Sequence, residues 1–326
     1  MVAFHLSRLL GNVALAPVAT YRTMAVSDMK SYITDGLADG VNKSIRAGWR
    51  ILSQRLNMEG KKAATDAKAI VPGDSSMLYG ALSDNPRGED DCNFFRGSSM
   101  LGSSYSRLIT NPNISASDFL ANMPRGQALQ LLLNASDVSA AVVLDNIMEQ
   151  ADRNGNTHMR AYFHYISQED NRLHYKKMTK PEREALRKLR NRKTDLITAR
   201  DIYAIAGPNK DHDAAPDSAV VLNRLMFKDN DDGLSGVKKF STSVDAIRHF
   251  NPLVYARLQW LARLATNPET EPQVRIYFQS RLHVTKNVYE KVFKGVIASA
   301  DKLKSQFEAG NLRLDLDLED YLRRTK

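Results

Sequence analysis

Apolar residues recur at intervals of three and four along much of this chain, a spacing that places them on one face of an α-helix. Between residues 28 and 58 the apolar positions are Ile33, Leu37, Val41, Ile45, Trp49, Leu52 and Leu56. The 326 residues include only 17 glycines and 11 prolines, which favours helices over a β architecture with many turns. The chain is therefore predicted to be mostly α, with a multi-helix globular body, extended N- and C-terminal arms and a long polar loop region.

Helix-start signals occur at intervals from Ser115 onward. Ser and Thr residues followed three positions later by an acidic residue or Gln, and one Asn-Pro pair, are typical of helix N-termini. They occur at Ser115-x-x-Asp118, Thr179-x-x-Glu182, Thr242-x-x-Asp245, Thr270-x-x-Gln273 and Asn251-Pro252. We expect a helix after each of them.

Other segments were assigned from their apolar pattern. We expect helices at 125–134, at 138–148 with Asp137 as its cap, and at 216–227, and one continuous helix from Thr270 to Gly310. Residues 158–175 suit a helix or a strand, and we favour a helix. Leucines alternate with charged residues after Leu312, which suits a short strand or an extended arm laid on a partner.

Residues 59–114 differ from the rest because they are rich in Gly, Ser, Asn, Asp and Pro. A loop region of this length is usually functional or makes contacts outside its own domain. We therefore divide the chain into four parts. They are an N-terminal arm and amphipathic helix (1–58), a loop-rich connector (59–114), a helical main body (115–310) and a C-terminal arm (311–326).

The first 27 residues contain Arg8 and Arg22 but no acidic residue. This suits either an organelle-targeting presequence or an arm docked on its own or a neighbouring subunit, and we favour the arm. No apolar run reaches the roughly 18 residues of a membrane-spanning helix, so we expect no transmembrane segment. The expected location is the soluble intracellular space or an assembled particle, or an organelle if residues 1–27 are a presequence.

The sequence contains no complete motif for catalysis or metal binding. Cys92 is the only cysteine, and it lies beside acidic residues that disfavour a thiolate. The acidic stretch 229–233 has Lys228 and Lys239 where a calcium loop needs ligands, and His212 has too few neighbouring ligands for a metal. No Walker, Rossmann or nucleophile-elbow motif occurs. We expect no metal, no cofactor and no enzymatic activity.

The chain carries a net charge of +9, and a comparable positive charge is concentrated in one segment. Residues 171–200 contain eleven basic and three acidic residues, a net charge of +8. Arg183, Arg187 and Arg190 are spaced to share one helix face. Such a face suits a row of phosphates, and the neighbouring His174 and Tyr175 could stack on bases. The predicted nucleic-acid-binding residues are Lys176, Lys177, Lys180, Arg183, Arg187, Lys188, Arg190, Arg192 and Lys193.

Basic helices, polar loops and extended ends are typical of nucleoprotein and virion-type assembly components, although no family motif supports a resemblance. We therefore expect a structural protein that binds DNA or RNA non-specifically and assembles with copies of itself or with other proteins. A scaffold that binds acidic proteins, an ordinary solvated surface and an enzyme with an unrecognised site remain alternatives.

Overall fold

The computed structural model describes residues 2–16, 19–31, 70–71, 74–83, 90–91, 104–149, 157–190, 195–207, 214–227, 244–282 and 284–324. The chain forms two compact units. One is Val18–Asp84, and the other combines Val2–Pro17 with Asn85–Lys326. Helices predominate in the described residues, which confirms the mostly-α prediction.

The Val18–Asp84 unit contains an antiparallel sheet of three strands, β1 (Ala19–Ala25), β2 (Ile70–Val71) and β3 (Asp74–Ser83), in the order β1-β3-β2. The register of β1 on β3 runs from Ala19 opposite Ser83 to Ala25 opposite Met77. The chain is helical at 26–31, and the rest of the predicted amphipathic helix lies outside the described residues.

The larger unit contains ten helices and four strands among its described residues. In chain order they are α1 (Val2–Leu9), β4 (Asp90–Asp91), α2 (Ser104–Ile109), α3 (Ala116–Leu120), α4 (Arg125–Met148), β5 (Thr157–Ile166), β6 (Leu173–Lys177), α5 (Lys180–Arg190), α6 (Ala199–Ala206), β7 (Val220–Phe227), α7 (Pro252–Thr266), α8 (Glu271–Ile276), α9 (Lys286–Glu308) and α10 (Leu318–Arg324). Short 3-10 turns follow α1 at Val13–Leu15 and precede α7 at Val244–Ala246.

The sheet of this unit is built around β5. It pairs antiparallel with β7 from Thr157 opposite Phe227 to His164 opposite Val220, and with β6 from Tyr162 opposite Lys177. β4 pairs with the start of β5. Successive strand residues face opposite sides, so Ala161 and Phe163 face a core shared with α5 and α6, whereas Tyr162 and His164 face the other side.

α4 runs along the outer edge of β7 and satisfies its free backbone groups. Gln130 exchanges two 2.8 Å hydrogen bonds with the backbone of Asn223, and Asp137 accepts a 3.0 Å hydrogen bond from the backbone N–H of Leu225. Side chains of a helix thereby cover a strand edge that would otherwise be open.

α4 is also long and apolar enough, by length and composition, to cross a membrane, and no other helix in the described part of the chain is. Within the structure, 89% of its apolar window is buried.

Two predicted helices and one predicted helix cap are wrong. Residues 158–175 form most of the β5–β6 hairpin, whose turn places Asn171 at φ 53°, and 216–227 end in β7. Both faces of β5 and β7 are covered, so their sequences lack the alternation of a strand with one exposed face. Asp137 caps no helix, because α4 continues through it and buries its side chain.

The predicted helix from Thr270 to Gly310 is interrupted. α8 passes into a π-helical turn at Tyr277–Arg281, and α9 begins anew with Thr285 as its N-cap. The backbone leaves the helical conformation at Leu282. The starts at Ser115 and Asn251 are confirmed, because their side chains accept hydrogen bonds from the backbone N–H groups of Asp118 and of Leu253 and Val254.

Both ends of the described chain pack within the larger unit. Leu6 and Leu10, in and just after α1, are fully buried. The extended segment after Leu312 pairs with 248–250. It continues into the helix α10, and the sequence pattern did not predict that helix. β2, β3, β4 and α2 lie in the predicted connector 59–114, and the four-part division of the chain stays a prediction.

Candidate nucleic-acid interface

Seven of the nine predicted nucleic-acid-binding residues lie in described elements. Lys176 and Lys177 end β6, whereas Arg192 and Lys193 lie outside the described residues. The other five all belong to α5 and are named the α5 surface: Lys180, Arg183, Arg187, Lys188 and Arg190.

α5 is amphipathic, and burial of its apolar side fixes which side chains face outward. Ala185 and Leu186 are buried in the core with Phe163. At the helix start the backbone N–H of Thr179 donates a 2.5 Å hydrogen bond to the carboxylate of the buried Glu182. This is one half of the capping box predicted there.

The α5 surface occupies the opposite side of the helix in two adjacent rows. Arg183, Arg187 and Arg190 form one row at spacings of four and three residues, and Lys180 and Lys188 form the other with Glu184 between them. Four of the five cations are exposed, and Arg183 is half-buried. The basic side chains are therefore not sealed beneath the rest of this unit.

The electrostatics of α5 favour an anion. Partial burial, followed by the positive charges of Arg160 and Arg187, lowers the pKa of Arg183 from its ordinary value, although Glu182 and Glu184 oppose this effect. Within the described part of the chain, Lys180, Arg187 and Lys188 form no ion pair with a carboxylate. Within the described residues, an incoming phosphate would therefore find three cations that are not held in ion pairs.

Hydrogen bonds hold two arginines of the α5 surface in place. Arg183 donates a 2.8 Å hydrogen bond to the carbonyl oxygen of Met178, which holds its guanidinium near the helix start. Arg190 donates a 2.7 Å hydrogen bond to the side-chain oxygen of Asn223 on β7. The row of arginines is thereby anchored at both ends.

The basic residues of β6 do not extend this surface as one patch. Lys176 lies opposite Phe163 and shares its side of the sheet, whereas Lys177 lies opposite Tyr162 and faces the other side. Adjacent strand residues point to opposite faces, so no single surface contains both.

The two candidate stacking residues are also engaged elsewhere. The guanidinium carbon of Arg224 lies 4.7 Å from the ring centroid of Tyr175, and His174 lies 2.9 Å from the carboxylate of Asp170. One face of the Tyr175 ring is therefore covered by Arg224.

A second polar cluster lies on the side of the sheet that faces α4. Arg224 forms a 3.1 Å ion pair with Asp137, and both side chains are about nine-tenths buried or more, with 10% and 5% exposed. The buried imidazole of His164 places Nδ1 3.2 Å from the carbonyl oxygen of Tyr162, and its Nε2 has no partner among the described residues. His164, Tyr175 and Arg224 line a cavity of about 360 Å³.

These buried groups keep a fixed charge near neutral pH. Burial, assisted by the charge of Arg224, lowers the pKa of His164 to about 3. Burial alone would lower the pKa of Arg224, but the carboxylate of Asp137 outweighs it and raises that pKa. General acid–base catalysis needs a pKa near the working pH, so this cluster is suited to holding the sheet rather than to moving protons.

No group of three or more His, Cys, Asp or Glu side chains in the described ranges is arranged to hold a metal ion. The acidic stretch 229–233, His212 and Cys92 lie outside those ranges. Comparison of the chain with protein-family models, with curated proteins and with solved structures finds no match.

The local sequence did not reveal Asn223, which accepts a hydrogen bond from Arg190, or Gln130, which bonds the backbone of Asn223. Asn223 interrupts the apolar run of β7, and that interruption was the only available signal.

Proposed function

We propose that this protein is a non-enzymatic component of a nucleic-acid-containing assembly, of the nucleoprotein or virion type. In this proposal the α5 surface binds phosphates of DNA or RNA without reading the sequence. The supporting observation is that five cations line one side of one helix, and that Lys180, Arg187 and Lys188 lack a carboxylate partner in the described structure. Lys and Arg side chains that neutralise phosphates release counterions, which drives association.

The three unpaired cations make the sharpest test. The triple variant Lys180→Gln, Arg187→Gln, Lys188→Gln removes exposed charges that form no hydrogen bond or ion pair within the described structure, so the fold should be kept. If each cation meets one phosphate, the slope of log K against log salt for a single strand should become shallower by about 2. We expect affinity for a short oligonucleotide to fall about tenfold or more at moderate salt, measured by fluorescence anisotropy.

The matched control removes the same charge elsewhere. Arg263→Gln, Lys294→Gln and Lys304→Gln change three exposed cations on α7 and α9. This control should bind with nearly the wild-type affinity. Equal binding by the two triple variants would mean that only total charge matters, and the proposal for α5 would fail.

A scaffold that binds acidic proteins would use the same cations, and polyglutamate distinguishes the two functions. We expect polyglutamate to bind far more weakly than an oligonucleotide of equal charge, because arginine makes paired hydrogen bonds to phosphate. Comparable binding of both polymers would favour the acidic-protein alternative. Size measurement of the protein before and after nuclease treatment would test self-assembly.

A further inference from the structure

A cavity of about 490 Å³ opens beside the C-terminal end of α5. Its size lies within the range of small-molecule sites. Arg190 of the α5 surface lines it, together with Gln130 of α4 and Asn223 of β7. One cation of the α5 surface therefore belongs to the cavity as well.

Hydrogen bonds fix the polar side of this cavity. The side-chain amide of Gln130 donates 2.8 Å hydrogen bonds to the backbone oxygen of Asn223 and to the side-chain oxygen of Asn134. The side-chain oxygen of Asn223 accepts from Arg190. The Nδ2 amino group of Asn223 has no hydrogen-bond partner within the described structure, so it is a positioned donor that a ligand can use.

The other walls are apolar. Three buried aliphatic side chains line the cavity: Leu186 of α5, Leu222 of β7, and Ile197, which precedes α6. A planar ring could lie against these aliphatic side chains while its polar edge meets the amides. The carboxylate of Asp195 also lines the cavity and would repel a phosphate placed inside it.

We propose that this cavity takes one unpaired nucleobase of a single-stranded nucleic acid whose phosphates lie along the α5 surface. This inference rests on the proposed function and adds a substrate class to it. Arg183 and Arg190 are about 10 Å apart along the helix, so the adjoining backbone can follow the arginine row while the base enters beside Arg190. Bases of a duplex are stacked and paired, and they cannot enter such a cavity without being extruded.

The test compares a short single strand, the duplex of the same sequence and the free mononucleotide. Asn223→Ala removes the unpaired donor and also the side-chain oxygen that accepts from Arg190, but it keeps the backbone bonds to Gln130. We expect this variant to bind the single strand about fivefold to tenfold more weakly, as for loss of one hydrogen bond to a base edge, with an unchanged salt slope. Duplex affinity should not change, and the wild type should prefer the single strand.

Gln127→Trp provides a second variant that does not depend on β7. Gln127 is an exposed residue in the first turn of α4 and lines the cavity, so an indole there would obstruct it without disturbing the core. We expect the same selective loss of single-strand binding.

The outcomes separate this inference from the function on which it rests. If both cavity variants bind the single strand as the wild type does, while the Lys180, Arg187, Lys188 triple variant binds poorly, the base site is wrong and phosphate binding on α5 stands. If the triple variant binds normally, the proposed function itself fails. If the mononucleotide binds as tightly as the oligonucleotide, and the two cavity variants weaken it whereas the triple variant does not, the cavity is a free-nucleotide site and the polymer proposal is overturned.

Discussion

Replacement of Asp137 by alanine should be among the most destabilising single changes in the larger unit. The carboxylate holds Arg224 at 3.1 Å and accepts the backbone N–H of Leu225 at 3.0 Å. Without it, a guanidinium that is 90% buried loses its counter-charge and a strand-edge N–H loses its acceptor. Removal of one partner of a buried pair typically costs about 3–5 kcal/mol, whereas an exposed pair contributes roughly 0.2–1 kcal/mol.

Urea unfolding followed by circular dichroism measures this cost. Asp320→Ala is the matched control, because Asp320 pairs with Arg324 at 2.7 Å on an exposed helix face. The control should change the free energy of unfolding by less than about 1 kcal/mol. The double variant Asp137→Leu, Arg224→Met should recover much of the loss, since apolar residues of similar volume can replace a buried pair. Equal costs for Asp137→Ala and Asp320→Ala would refute this reasoning.

Three further predictions concern other buried contacts. The pKa of His164 is lowered from 6.5 to about 3, so only the unfolded chain binds a proton between these values. The free energy of unfolding should therefore fall as the pH drops below 6.5, by up to about 1.4 kcal/mol per pH unit for this group, and His164→Phe should remove that contribution in urea titrations. Gly295→Ala should destabilise by about 1–3 kcal/mol in the same assay, although alanine favours helices, because its Cβ would lie 2.9 Å from the Cα of Ile147. His249→Leu removes contacts of 2.8 Å to Asp315 and 2.7 Å to the Asn111 carbonyl oxygen, so amide hydrogen exchange should accelerate in the segment after Leu312.

A specific result would contradict each of these three predictions. Parallel pH profiles for the wild type and His164→Phe would mean that the buried imidazole does not set the slope. A more stable Gly295→Ala would mean that α4 and α9 separate easily at their crossing. Unchanged exchange after His249→Leu would mean that backbone pairing alone holds the C-terminal segment.

Helix starts that are marked by a capping residue were well predicted from the sequence. Ser115 and Asn251 cap their helices as expected because capping depends on a few adjacent residues. β5 and β7 were predicted as helices because both of their faces are buried, which removes the period-two pattern. Asp137 resembles a cap in sequence, and its contacts with Arg224 and Leu225, 87 and 88 residues away, explain its position inside α4.

The candidate interface was also predicted only in part. The spacing of the basic residues placed Arg183, Arg187 and Arg190 on one helix face, and the structure has them there. The strand at Lys176 and Lys177 was not predicted, and it separates those two side chains. The cavity beside Arg190 depends on Gln130 and Asn223, which are 93 residues apart and have no shared motif.

The larger unit is discontinuous in sequence, and this imposes an order on its synthesis. The carbonyl oxygen of Asn12, just beyond α1, accepts a hydrogen bond from Arg224, 212 residues later. At ribosomal rates of 5–20 residues per second, about 10–40 s pass before that partner has been translated. Leu6 and Leu10 are buried in the finished protein, and α1 packs on α4, which is also translated later than these leucines. The nascent chain therefore exposes this apolar segment until α4 has been translated, and the hydrogen bond to Asn12 can form only after β7.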